Sequence, residues 1–145
     1  PDCTIDLRNT LITIDTPVTA DGKNGLILLA NTYHDTASAS ATSYGTVFRW
    51  SGPACSTCWI LKIKGASNVQ VQGTFDALGA GYGLILEDVM YSDFPALGFR
   101  DGSVGSLVVT TGCGTGGSAY NQFGLISAKN FADSASCWIV CLGST

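Results

Sequence analysis

The sequence predicts an all-β protein, a single domain over residues 1–145 arranged as an antiparallel β-sandwich or jelly-roll-like barrel. Three observations carry this. Helix formers are scarce: Glu87 is the only glutamate, Met90 the only methionine, and lysines are few. Short runs alternate apolar and polar residues, most clearly Asn68 to Phe75, where Val69, Val71 and Phe75 share one face and Gln70, Gln72 and Thr74 the other. Gly, Ser, Thr, Asp and Asn punctuate these runs, as strands joined by tight turns require.

Taken in order, Thr4–Arg8 and Thr10–Asp15 read as half-buried strands on either side of Asn9. Pro17 to Asn24 reads as a loop, with Asp21-Gly22 as its turn pair. Gly25–Ala30 is a buried strand. Asn31 to Ser43 lacks periodicity and reads as a long exposed loop, the kind that carries function. Gly45–Trp50 and Trp59–Lys64 are strands around a turn holding Pro53, Cys55 and Cys58. Asp76 to Tyr82 is a glycine-rich connection. Pro95 is expected to break pairing after Asp93, and Leu97–Arg100 to resume it. Asp101-Gly102 is a hairpin signal, Ser106–Thr111 a strand, Gly112–Gly117 a turn, and Cys137–Cys141 the closing strand.

A segment recurs within this frame. Gly25-Leu-Ile leads to Tyr33-His-Asp35, Gly83-Leu-Ile to Tyr91-Ser-Asp93, and Gly124-Leu-Ile to Phe131-Ala-Asp133. The copies start 58 and 41 residues apart, an irregular spacing that favours equivalent corners of a sandwich. A short parallel β-helix is the alternative, since it too repeats glycine-apolar rungs.

Charged residues are 12% of the chain against 46% hydrophobic ones, which excludes a disordered chain. The net charge of −4 and the absence of a basic stripe exclude nucleic acid as a partner, and anionic membrane surfaces with it. Pro1 fits removal of an initiator methionine better than cleavage by signal peptidase.

Cys3, Cys55, Cys58, Cys113, Cys137 and Cys141 are an even set suited to disulfides in an oxidising compartment. A four-thiolate zinc site from Cys55, Cys58, Cys137 and Cys141 is the less favoured reading, because Cys137 and Cys141 sit two pleats apart on one strand face. Cys55-Ser-Thr-Cys58 runs into a strand and not a helix N-terminus, which argues against redox catalysis. Asp35, Asp93 and Asp133 are read as turn caps before calcium or sugar ligands. His34, the only histidine, lies beside Asp35, and neighbours on a strand face opposite ways; no nucleophile elbow accompanies them. Asp76, Glu87, Asp88 and Asp93 are the carboxylates from which a glycosidase pair would be drawn. Trp50, Trp59 and Trp138 are expected in the core, and one of Tyr33, Tyr44, Tyr91 and Tyr120 as a contact or sugar-stacking platform.

The Gly-Leu-Ile strands, Phe131-Ala-Asp133 and the terminal Ser136-Cys-Trp-Ile-Val140 resemble, in strand style, small all-β virion modules such as phage decoration proteins and fibre tips. The resemblance implies a trimer or capsid-bound oligomer without catalysis. The expected function is therefore a non-enzymatic structural protein, without cofactor, in a virion or extracellular setting. Its contacts are expected in the loops holding Tyr33, His34, Asp35, Tyr91, Asp93 and Phe94. A secreted, disulfide-stapled carbohydrate-binding module and a small β-helical carbohydrate-active enzyme are the alternatives.

Overall fold

The computed structural model describes residues 3–31, 45–101, 105–112, 118–129 and 140–144. These form strands β1 (Cys3–Asp6), β2 (Leu11–Ile14), β3 (Val18–Asp21), β4 (Leu26–Leu29), β5 (Val47–Trp50), β6 (Cys55–Ser67) and β7 (Gln70–Val71). They continue with β8 (Gly73–Asp76), β9 (Ala80–Met90), β10 (Asp93–Arg100), β11 (Gly105–Gly112), β12 (Gln122–Lys129) and β13 (Val140–Ser144).

Every pairing between these strands is parallel. One sheet stacks β1, β4 and β7, and beside them β2, β5 and β8, onto the continuous β10, with β12 beyond it. The other stacks β3, β6, β9, β11 and β13. The chain crosses from one sheet to the other and back, winding a β-solenoid of about four turns. Parallel neighbours need a long crossover between them, and here the opposite sheet supplies it.

The predicted antiparallel sandwich or jelly-roll barrel is thereby corrected, and the short parallel β-helix fits. The reason is visible in the register. Leu61, Leu84 and Leu107 are stacked partners 23 residues apart, which is one turn. Insertions hide this period elsewhere, so Leu28 stacks on Val71. The Gly-Leu-Ile copies are not equivalent: Gly25 precedes β4, Gly83 lies inside β9 in the other sheet, and Gly124 lies inside β12.

Other expectations also change. Asp101 does not start a hairpin; it joins β10 to β11 in the opposite sheet. Pro95 does not end a strand. It lies within β10 beside a one-residue irregularity, since Asp93 faces Gln70 while Leu97 faces Gly73. A bulge tolerates a residue without an N–H. β3 emerges from the segment read as a loop, and β6 begins at Cys55.

The interior follows from alternation. Leu61, Ile63, Leu84, Leu86, Leu107 and Val109 face inward from one sheet. Opposite them Phe48, Phe75 and Phe99 stack with ring centroids 5.0 and 5.6 Å apart, and Phe94 stacks on Phe123 at 5.0 Å. Identical residue types recur at one register position because each rung presents the same shape to the next.

On the outward face of β6 and β9, Glu87 Oε2 accepts from Lys62 at 3.0 Å and Oε1 lies 3.1 Å from Lys64 Nζ. The hydrogen bond from Lys62, then that from Lys64, holds the Glu87 carboxyl below its ordinary value of 4.5. Its folded value is depressed, so its stabilisation is present above pH 4.5 and is lost as pH falls through the depressed value. Water screens the pairs, so their contribution to stability is small. Glu87→Gln is thus expected to flatten the acid limb of Tm against pH while leaving a similar fold near neutrality. Equal acid sensitivity in both proteins would count against the triad.

Candidate functional site

Two surfaces stand out. The first is the end of the solenoid formed by β1, β2 and β3. Each of these strands pairs on one side only among the described residues, with β4, β5 and β6 respectively. Their outer edges carry unpaired N–H and C=O groups, which template pairing with another strand. Inside that end is an open cavity of about 880 Å³, lined by Ile5, Leu7, Ile12, Ile14, Leu28 and Phe48 among others. Ile5 is 42% and Val18 43% exposed, so the core is bare at this end. Lys23 and Asn24 border the cavity, and an exposed Asp6–Arg8 ion pair at 2.7 Å follows β1. Arg8 holds the Asp6 carboxyl down to about 2. An apolar centre with a polar margin is the anatomy of a protein interface.

The second surface is a corner of the solenoid. Gly25, Asn68, Tyr91 and Tyr120 occupy one register position in successive turns, all with left-handed backbone (φ 68°, 55°, 50° and 57°). Polar side chains close this corner: Asn24 Oδ1 accepts from Ser67 N, Ser92 Oγ from Val69 N, and Asn121 Oδ1 from Ser92 N. Glycine and asparagine suit the left-handed region; tyrosine does not. Each tyrosine there costs about 1–2 kcal/mol. Tyr91 and Tyr120 stack with centroids 5.1 Å apart and planes 3° from parallel, which returns about 1 kcal/mol for the pair. They are 60% and 75% exposed, so burial does not make up the difference. A cavity of about 330 Å³ opens beside Tyr91, lined by Asn24, Ser67, Asp88 and Met90 among others.

No family model, characterised protein or solved structure matches the chain.

Of the residues expected to make contacts, Tyr91 and Asp93 are exposed, whereas Phe94 is fully buried against Phe123. Tyr33, His34, Asp35, Cys113, Asp133 and Cys137 lie outside the described residues, as does most of the loop to Ser43. Cys55 and Cys58 form a disulfide, so neither offers a thiolate to the zinc site considered above. The bond spans the irregularity between Cys55 and Trp59, where Gly81 approaches the Ser56 carbonyl too closely for any side chain. Cys3 is free and exposed, and Cys141 lies in β13. Among the described residues no group of three or more metal-binding side chains converges.

The carboxylates considered for sugar chemistry are dispersed. Asp76 is buried in β8, 2.9 Å from Arg49 Nε. Glu87 is neutralised by two lysines in the other sheet, and its depressed pKa is opposite to what a general acid needs. Tyr91 and Tyr120 are two of the four tyrosines considered as platforms; their shared register, which requires the fold, is what pairs them.

Proposed function

We propose that this chain is a non-enzymatic structural protein, a subunit of a larger assembly of virion or extracellular type. The open apolar end at β1, β2 and β3 carries the reading. A second copy of the chain is the occupant it favours. The end supplies unpaired strand edges around an apolar centre, and such a surface is self-complementary across a two-fold axis. The Cys55–Cys58 disulfide is compatible with a setting outside the reducing cytosol.

Native mass across a concentration series tests this. The protein is expected at a multiple of the single-chain mass, with two copies for end-to-end closure and three for the trimer that the strand style implies. Ile5→Asp and Val18→Asp are expected to shift it to one copy without unfolding, since both side chains are already partly exposed in the free chain. A strict monomer at high concentration overturns the reading.

A further inference from the structure

We propose that the Tyr91–Tyr120 corner binds a neutral polysaccharide, with a pyranose ring seated in the cavity beside Tyr91. Four observations converge there. Two bulky side chains occupy a backbone conformation that their counterparts fill with Gly25 and Asn68. The two rings stack on each other and their remaining surface is exposed. A cavity beside Tyr91 is bordered by Asn24, Ser67 and Asp88. Two residues beyond the tyrosines, Asp93 and Gln122 are register partners, both exposed, and Gln70 continues their row on the preceding turn.

The chemistry fits a sugar. The apolar face of a pyranose packs on an exposed aromatic ring, and its hydroxyls accept hydrogen bonds from amide N–H groups and donate them to carboxylates. A cavity of this size accepts a small ring, and the few polar groups on its wall fix orientation. Asp88, Asp93 and the net charge of −4 disfavour acidic polymers, which selects neutral ones. Tyr91 and Tyr120 lie on the turns of β10 and β12, away from β1, although the cavity beside Tyr91 shares Asn24 with the open end. Neither tyrosine lines the open end, so substituting them separates sugar binding from the self-association proposed above.

The test uses the full chain, titrated calorimetrically with linear hexasaccharides of glucose, xylose and mannose, and with hexagalacturonate as the acidic counterpart. Binding of at least one neutral hexasaccharide is expected, with no binding of the galacturonate. Tyr91→Asn and Tyr120→Asn each suit the left-handed corner, so Tm is expected to hold or rise while affinity falls on the order of tenfold. Native mass should not change in either variant. The proposal is overturned if no neutral hexasaccharide binds at millimolar concentration, if galacturonate binds as well as they do, or if both variants bind like the parent. A fall in Tm in both variants also overturns it, because that result assigns the tyrosines a structural role.

Discussion

Phe75→Ala is expected to destabilise the protein by about 3–5 kcal/mol, read as a lower urea midpoint and a Tm lower by on the order of 10 °C. Phe75 is the middle ring of a three-rung stack and is completely buried. Its rung neighbours Phe48 and Phe99 contact it on both sides, and their strands are fixed by parallel pairing to β8. The site has little freedom to collapse, so the cavity term adds to the transfer term. Phe48→Ala is the informative comparison. Phe48 also lines the open cavity at the β1 end, so it has fewer packed neighbours on its far side than Phe75 has. Its removal is expected to cost clearly less than that of Phe75. Equal losses would show that the end is closed in the folded protein. Because each solenoid turn contacts mainly its neighbours, the Phe75 variant should also separate the unfolding of the two ends more than Phe48→Ala does.

The second large effect concerns a buried charge. Asp76 follows Phe75 in β8 and is almost wholly buried, between the register partners Arg49 in β5 and Arg100 in β10. Its Oδ2 accepts from Arg49 Nε at 2.9 Å. Asp76→Ala removes the negative charge and leaves a guanidinium group on the rung to either side, one of them on the buried Arg100. Breaking such an ion pair from one side costs about 3–5 kcal/mol. Arg49 keeps some contact with water, which places the expected loss near the lower limit. Asp76→Leu with Arg49→Met is expected to be more stable than Asp76→Ala alone, since it removes one of the two cations together with the anion. Urea denaturation of the single and double variants measures this. A double variant no better than the single would assign the loss to packing around Asp76 and not to charge.

Much of the strand content was legible. Alternation located β2, β5, the centre of β6, and β7 with β8, and Val69, Val71 and Phe75 face the interior as that alternation requires. Other elements were hidden for local reasons. Turn residues in Pro17 to Asn24 masked β3, which owes its strand geometry to pairing with β6. Pro95 read as a terminator, yet its missing N–H is accommodated beside an irregularity that the sequence does not mark. Phe94 looked like a contact residue because it follows Asp93, and only its stack on Phe123 reveals it as core. The three Gly-Leu-Ile copies, 58 and 41 residues apart, drew attention away from the 23-residue turn that links Leu61, Leu84 and Leu107, and Gln70 with Asp93.

Sequence alone determined that the chain is all-β, apolar within, weakly charged and rich in turns. Tertiary structure alone decided that the strands run parallel. Side chains alternate with a period of two residues in either orientation, so the pattern that identifies a strand says nothing about its neighbour's direction. The same limit applies to function. Exposure of the β1 end and the register of Tyr91 with Tyr120 are relations between turns, set by which strand lies over which. Those relations depend on the lengths of the insertions between rungs, and no local pattern encodes them.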